Sequence, residues 1–153
     1  MSVDETDLEI IDRLKEDGRA SLRELADDLD LSPSTVSNRF HRLKEEGILK
    51  GFQPKLDYEE LGFELTAVID VRLNSAGEET VSEISDRDET MSEFVVTGET
   101  DIVLICKFVD REHMYEFLGD LQQEDGVEDT ETNVALECVQ EYGCVDLWEG
   151  LEG

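Results

Sequence analysis

The stretch Ser32–Leu43, SPSTVSNRFHRL, decides the fold of the N-terminal part of the chain. Ser32 is a good N-cap, because its hydroxyl accepts a hydrogen bond from a first-turn N–H, and Pro33 suits the first helical position. The apolar residues then recur at i, i+4 and i+7. They are Val36, Phe40 and Leu43. The spacing predicts a helix with one buried stripe and one polar face.

The polar face of this helix carries hydroxyl, amide, imidazole and guanidinium groups and no carboxylate. Such groups read base edges and phosphates in a DNA major groove. The candidate DNA-binding residues are Ser34, Thr35, Ser37, Asn38, Arg39, His41 and Arg42. A lone helix of this kind is more often a solvated surface, so its neighbours in the chain have to decide between the two interpretations.

Two helices are predicted before this one. An apolar stripe and a closing glycine predict a helix over about residues 4–17. Ser21 followed by Glu24 is a capping box that opens a second helix. Only Asp30 and Leu31 then separate that helix from the Ser32 cap, so the pair predicts a helix-turn-helix with the third helix as the recognition helix. Asp30 stands in the turn, where it tolerates left-handed geometry better than most residues.

The remaining chain changes from helical to strand periodicity. Alternating apolar residues predict strands over 65–73, 91–97, 102–109 and 127–140, with helices over 77–87 and 111–124. This βαββαβ order predicts a ferredoxin-like sheet with both helices on one face, within an α+β chain. The expected domains are a helix-turn-helix domain (1–52), a linker (53–64), a ferredoxin-like effector-binding and oligomerisation domain (65–145) and a tail (146–153).

The second face of such a sheet would expose Val and Ile side chains to water. Burial against a second copy of the chain is the economical way to cover it, so we expect a homodimer.

Charge is distributed unevenly along the chain. Residues 1–55 hold 9 Lys/Arg and 13 Asp/Glu (net −4), whereas residues 56–153 hold 4 and 28 (net −24). Residues 32–55 are net +3, with five basic and two acidic side chains, which suits an approach to DNA. The acidity of the rest is typical of surfaces adapted to concentrated salt, as in halophiles.

Several other classes are disfavoured. No nucleophile with a base, phosphate loop or metal set is present, so neither catalysis nor a cofactor is expected. Cys106, Cys138 and Cys144 form no CxxC, which argues against structural zinc and a disulfide framework. An RNA-binding sheet would need aromatic, basic strands. The acidic N-terminus and the lack of a long apolar run predict a cytoplasmic protein without a membrane partner.

Residues 8–52, LEIIDRLKEDGRASLRELADDLDLSPSTVSNRFHRLKEEGILKGF, resemble the Lrp/AsnC (feast/famine) transcriptional regulators. A second signature follows in VTGETDIVLICKF (96–108) and DGVEDTETNVAL (125–136). The resemblance covers nearly the whole chain. It implies a winged-type helix-turn-helix joined to a ferredoxin-like sensing domain, homodimers assembling into tetramers or octamers, and regulation by an amino acid bound between dimers.

The family's effector site corresponds to the turn Gly98–Asp101, where this chain has Thr100 in place of a frequent aromatic residue. Asp101 has the chemistry to pair with an ammonium group, and Gly98 allows close approach to the backbone. The candidate effector-binding residues are Gly98, Glu99, Thr100, Asp101, Thr130 and Thr132. A plain hairpin turn, and strand propensity at the two last threonines, remain alternative interpretations. So does an effector-independent architectural or constitutive DNA-binding protein whose C-terminal domain only oligomerises.

Overall fold

The computed structural model describes residues 3–75, 77 and 80–150, with the side chain of residue 80 left aside. The predicted helix over 77–87 and the predicted tail over 146–153 therefore lie partly outside the described residues. Two compact units form. The first contains residues up to Lys55 together with the segment from Tyr142 onward, and the second spans Leu56–Glu141.

The first unit contains α1 (Glu5–Glu16), α2 (Leu22–Asp28) and α3 (Pro33–Glu45). The predicted caps are confirmed. The Ser21 hydroxyl accepts from the Glu24 N–H at 3.2 Å while the Glu24 carboxylate accepts from the Ser21 N–H at 2.7 Å. The Ser32 hydroxyl accepts from the Thr35 N–H at 3.1 Å, with Pro33 opening α3. Each helix therefore begins where its side chains satisfy otherwise unpaired first-turn amides.

The turn between α2 and α3 depends on Asp30. Its φ of 52° lies in the left-handed region, and it is the one non-glycine residue with positive φ in the described chain. The Leu31 N–H then bonds the Ala26 carbonyl at 2.9 Å, which closes the end of α2. An aspartate tolerates this geometry better than a branched residue, so the tight turn forms without glycine.

A small apolar core joins the three helices of this unit. It is formed by Ile10, Leu14, Leu25, Ala26, Val36 and Leu43. The segment after α3 covers part of this core, because Leu49 packs on it and the Phe52 ring stacks on Phe40 with centroids 6.4 Å apart. Within residues 3–55 no β-strand forms, and residues 46–52 follow α3 as a loop.

The second unit contains β1 (Leu65–Leu73), α4 (Thr80–Ser85), β2 (Thr90–Val95), β3 (Ile102–Phe108), α5 (Arg111–Gln122) and β4 (Val127–Val134). The sheet order is β2-β3-β1-β4 and every neighbouring pair is antiparallel. This confirms the predicted ferredoxin-like α+β arrangement.

One face of the sheet packs against both helices. Ile69 lies opposite Leu104 across β1 and β3, and Val71 lies opposite Ile102, so these side chains share a face. All four are buried with Ile84 of α4 and with Met114, Phe117 and Leu121 of α5. The alternate residues lie on the open face of the sheet. They are Thr66, Val68, Asp70 and Arg72 on β1, Ser92 and Phe94 on β2, Val103, Ile105 and Lys107 on β3, and Asp129, Glu131 and Asn133 on β4.

The predicted strand over 127–140 is too long. β4 ends at Val134, and the last ladder bond runs from the Ala135 N–H to the Thr66 carbonyl at 2.8 Å. Because β1 begins at Leu65, no further partner backbone exists for the alternating residues beyond 135.

The chain passes from one compact unit to the other at 55/56 and at 141/142. Within the described chain, no helix has both the length and the apolar character needed to cross a membrane.

Candidate nucleic-acid interface and effector cleft

The first turn of α3 contains a cluster of hydroxyl groups. The Ser32 Oγ lies 3.0 Å from the Ser34 Oγ and 2.7 Å from the Thr35 Oγ1. Ser34 is exposed and Thr35 is half-buried. These hydroxyls therefore complete the helix cap, and Ser34 is the exposed one of the two candidate DNA-binding residues among them.

Asn38 and His41 are exposed on the same side of α3, one turn and two turns after Ser34. No hydrogen bond or ion pair engages either side chain within the described residues, although the His41 ring lies edge-on to Phe40 at 5.9 Å. Ser37 is half-buried beside them. An unengaged amide and imidazole on a helix face are available to donate to and accept from base edges.

Arg39 and Arg42 lie on a different side of α3, facing α1. The Arg39 Nη1 binds both Asp4 oxygens, at 2.6 and 2.7 Å, and the Asp7 Oδ1 at 2.9 Å. The Arg42 Nη2 binds the Asp7 Oδ2. Both guanidinium groups therefore hold the recognition helix to α1, a role that periodicity did not reveal.

Asp7 is fully buried, whereas the two arginine side chains retain 26% and 30% of their exposure. A buried carboxylate of this kind needs charged partners, because its desolvation costs several kcal/mol.

The ion-pair network also affects the pKa of Asp4. Hydrogen bonds from Arg39 and from the Asp7 amide lower the pKa of Asp4 below its ordinary value. The Arg42 Nε is buried without a partner, so this side chain is committed to the helix interface at some cost.

Five other cations of the first unit are exposed and make no ion pair in the described chain. They are Arg19, Arg23, Lys44, Lys50 and Lys55, with Lys44 also 5.7 Å from the Phe40 ring centroid and Lys55 6.0 Å from that of Tyr142. Arg23 projects from α2, the helix that crosses the phosphate backbone in helix-turn-helix proteins. The predicted DNA-binding residues did not include Arg23, because they were all taken from the polar face of α3. The signal available was a basic residue at an outward position of the preceding helix.

The candidate effector residues fall into two groups. Glu99, Thr100 and Thr130 line one cleft of about 150 Å³. Asp70, Arg72, Asp129 and Glu131 complete its lining. Arg72 forms an ion pair with Asp129 across the β1–β4 ladder, so the four carboxylates that line the cleft share a single lining cation.

Gly98, Asp101 and Thr132 do not line this cleft. The Asp101 carboxylate instead accepts the Leu73 N–H at 2.7 Å, next to the irregularity in the β1–β4 pairing. Gly98 has a φ of 115°, and a side chain there would meet no atom within 4 Å. Thr132 lies opposite Ile69 on the helix-facing side of the sheet. In one copy of the chain, these three residues serve turn geometry and strand pairing.

The cysteines are all free. Cys106 is buried in the sheet core, where desolvation raises the pKa of its thiol to about 11, while Cys138 and Cys144 are exposed. The described residues contain no cluster of His, Cys, Asp and Glu arranged to hold a metal ion.

The fold and the exposed face of α3 define a DNA-binding protein of the helix-turn-helix class. Residues 3–50 match the model of a winged helix-turn-helix DNA-binding family, and residues 66–143 match the model of the Lrp/AsnC ligand-binding domain. The chain therefore belongs to the Lrp/AsnC family of DNA-binding transcriptional regulators.

Individual relatives agree over nearly the full length. An uncharacterised HTH-type transcriptional regulator of Pyrococcus furiosus is 42% identical, over 92% of this chain and 96% of the relative. The structure of a Neisseria meningitidis transcriptional regulator in complex with L-methionine superposes with a TM-score of 0.88 at 30% identity, covering 95% of this chain and 97% of that one. A feast or famine regulatory protein from M. tuberculosis complexed with L-methionine gives 0.85 at 25% identity, with coverages of 92% and 96%.

We predict that Asp7→Ala destabilises the first unit by about 3 kcal/mol, the lower end of the range for breaking a buried charge pair, because both arginines retain access to water. Chemical denaturation followed by circular dichroism measures the loss. Glu9→Ala is the matched control, since Glu9 is an exposed carboxylate of the same helix. Equal stability of the two variants would contradict a structural role for Asp7.

Proposed function

We propose that the chain acts in the cytoplasm as a homodimeric, sequence-specific regulator, with Asn38 and His41 reading bases and an amino acid modulating its assembly or DNA affinity. The proposal that α3 reads DNA rests on a difference between the two sides of this helix. Asn38 and His41 are exposed and unengaged, whereas Arg39 and Arg42 are held by α1. An amide can pair bidentately with adenine, which supports base reading at position 38.

Phosphate contacts are assigned in this proposal to the exposed cations of the first unit rather than to Arg39 and Arg42. Arg23 on α2 is the leading candidate, because it is exposed and has no acidic partner in the described chain. The positive end of α3 adds to this group, since Pro33 opens a helix with no acidic residue in its first turn.

The open face of the sheet supports the proposed homodimer. Val68, Val103 and Ile105 lie together on it, and Phe94 beside them is 53% exposed. An isolated sheet would leave this apolar surface in water. An isologous contact would bury the same surface on both copies of the chain. Two recognition helices in a dimer would read half-sites about 34–36 Å apart, or multiples of that spacing.

We predict different effects on DNA binding for two variants. Asn38→Ala should weaken specific binding by about 1–3 kcal/mol and relax base preference at one position, because it removes a base contact. Arg23→Ala should weaken specific and non-specific binding alike and lower the salt slope by about 1. Fluorescence anisotropy on a duplex selected from random sequence, with circular dichroism as the folding control, measures both. Unchanged binding in both variants would refute this interface.

The effector assignment is supported by the cleft beside the turn 98–101 and by the two similar structures that contain L-methionine. The cleft carries Asp70 and Glu131 for the ammonium group of an amino acid, whereas Arg72 would bind its carboxylate only by exchanging the ion pair with Asp129. At about 150 Å³ it is smaller than the roughly 300–1,000 Å³ of typical ligand pockets. A second dimer is proposed to complete the site, with tetramers or octamers as the assemblies it would favour.

We predict that one or more amino acids, L-methionine among the panel, raise the unfolding temperature, since a ligand at 100 times its Kd adds about 2.7 kcal/mol to folding stability. Glu131→Gln should raise the ligand concentration needed for the same rise in unfolding temperature at least tenfold. Glu116→Gln, an exposed change on α5, should not. A panel without any response would favour the alternative, an effector-independent architectural protein.

The acidic surface is proposed to suit DNA binding in concentrated salt. A binder with six to ten phosphate contacts ordinarily loses about 10³–10⁵ in affinity over a fourfold rise in salt. A chain of net charge −28 also repels DNA, and that repulsion is screened as the Debye length falls to about 3 Å at 1 M.

We therefore predict that specific binding depends weakly on KCl, or rises with it, and that folding weakens at low salt because carboxylates repel one another. Anisotropy titrations from tenth-molar to multi-molar KCl, with circular dichroism at each concentration, measure both effects. A steep and monotonic loss of affinity by the folded protein would refute the adaptation.

A further inference from the structure

The lining of the effector cleft is polar throughout. Four carboxylates, one guanidinium group and two threonines line it, and none of these described residues has an apolar side chain. Ligand sites for small molecules are usually lined mainly by hydrophobic and aromatic side chains. A long apolar side chain of a ligand would therefore find little apolar surface to contact in this cleft. The lining suits a small ligand that carries charge.

Two of the four carboxylates face each other across a strand pair. Asp70 of β1 lies directly opposite Glu131 of β4, on the open face of the sheet. Side chains in this position have Cβ atoms about 4.5–5.5 Å apart, and like charges there are destabilising. Neither carboxylate makes an ion pair or a hydrogen bond within the described chain. An ammonium group between them can donate to both and remove the repulsion.

The one cation of the cleft is already occupied by carboxylates. Arg72 pairs with Asp129, and the hydrogen bond from this pair lowers the pKa of Asp129. That hydrogen bond, followed by the charges of Asp129, Glu128 and Glu99, raises the pKa of Arg72. A ligand carboxylate would have to displace Asp129 and then lie close to the two glutamates. The cleft therefore disfavours a negative group and favours a positive one.

A second copy of the chain has few cations with which to reverse this balance. Residues 56–153 hold 4 Lys/Arg and 28 Asp/Glu. Three of these four basic residues are ion-paired within their own chain: Arg72 with Asp129, Arg87 with Glu124, and Lys107 with Glu141. A neighbouring copy that closes over the cleft with this part of its chain would therefore bring mainly carboxylates.

We propose that the effector cleft binds a cationic ligand, a basic amino acid or a diamine, with an ammonium group held between Asp70 and Glu131. The hydroxyl groups of Thr100 and Thr130 line the same cleft and can accept from the remaining ammonium N–H groups. The ligand class rests on the proposed function, because it concerns the effector cleft of that regulator.

A matched set of ligands tests the charge of the effector. L-Lysine is compared with cadaverine, which is lysine without its carboxylate, and with Nε-acetyl-L-lysine, which lacks the side-chain charge. L-Methionine completes the set. Thermal unfolding of the full chain is followed by circular dichroism at constant ionic strength, in KCl that keeps the protein folded. The acetylated compound and methionine should need at least about tenfold higher concentrations than lysine for the same rise in unfolding temperature, because a charged hydrogen bond is lost.

Two conservative variants test the place of the ammonium group. Asp70→Asn and Glu131→Gln each remove one charge of the opposed pair, so folding stability without ligand should not fall. The lysine or cadaverine concentration needed for a given rise in unfolding temperature should increase at least about tenfold. Glu116→Gln, an exposed change on α5, should alter neither property. Equal ligand responses in Glu131→Gln and Glu116→Gln would overturn the site.

The outcomes separate the ligand class from the proposed function. A preference for lysine and cadaverine that is lost in the cleft variants supports the proposal, and the stronger of the two decides between a basic amino acid and a diamine. An equal rise with KCl or MgCl₂ at matched ionic strength overturns it, because screening alone would then stabilise the fold. A response to methionine at least as strong as that to lysine overturns the cationic class and leaves the amino-acid-modulated regulator in place. No response to any compound overturns both.

Discussion

The buried carboxylate of Asp7 is the constraint on which the DNA-binding unit depends. It lies on α1 with no exposure to solvent, and it binds two arginines from the recognition helix. An isolated buried charge would be unfavourable by several kcal/mol, so the stable arrangement pairs Asp7 with the arginines of α3. This pairing fixes the rotation of α3 about its own axis. That rotation turns Asn38 and His41 outward. The face proposed to contact DNA is thus set by an ion-pair network on the other side of the helix.

This network also changes how a very acidic chain meets DNA. The first 55 residues hold only 9 Lys and Arg, and two of them are used to fix α3. Five exposed cations without an ion pair in the described chain remain, and the phosphate contact is proposed for Arg23 on α2. A small number of phosphate contacts would give a weak dependence of binding on salt, because each released counterion contributes to the slope.

Much of the architecture follows from local sequence signals. The Ser21–Glu24 box, the Ser32–Pro33 start and the position of Asp30 predicted the helices and the turn between them, because caps and turn geometry depend on near neighbours. The β-strands followed from period-2 alternation. Contacts distant in sequence were beyond such signals: the pairing of Asp7 with Arg39 and Arg42, the ladder that stops at Ala135, and the return of Trp148 to α1.

The central claim is that α3 reads DNA with its exposed amide while its arginines remain bound to α1. Side-chain NMR of ¹⁵N-labelled protein during titration with operator DNA tests this most directly. The account predicts that the Asn38 side-chain amide shifts and gives nuclear Overhauser contacts to base protons, while the Arg39 and Arg42 guanidinium signals keep their contacts to Asp4 and Asp7. Guanidinium signals that leave those carboxylates and gain contacts to DNA, with an unshifted Asn38 amide, would contradict it.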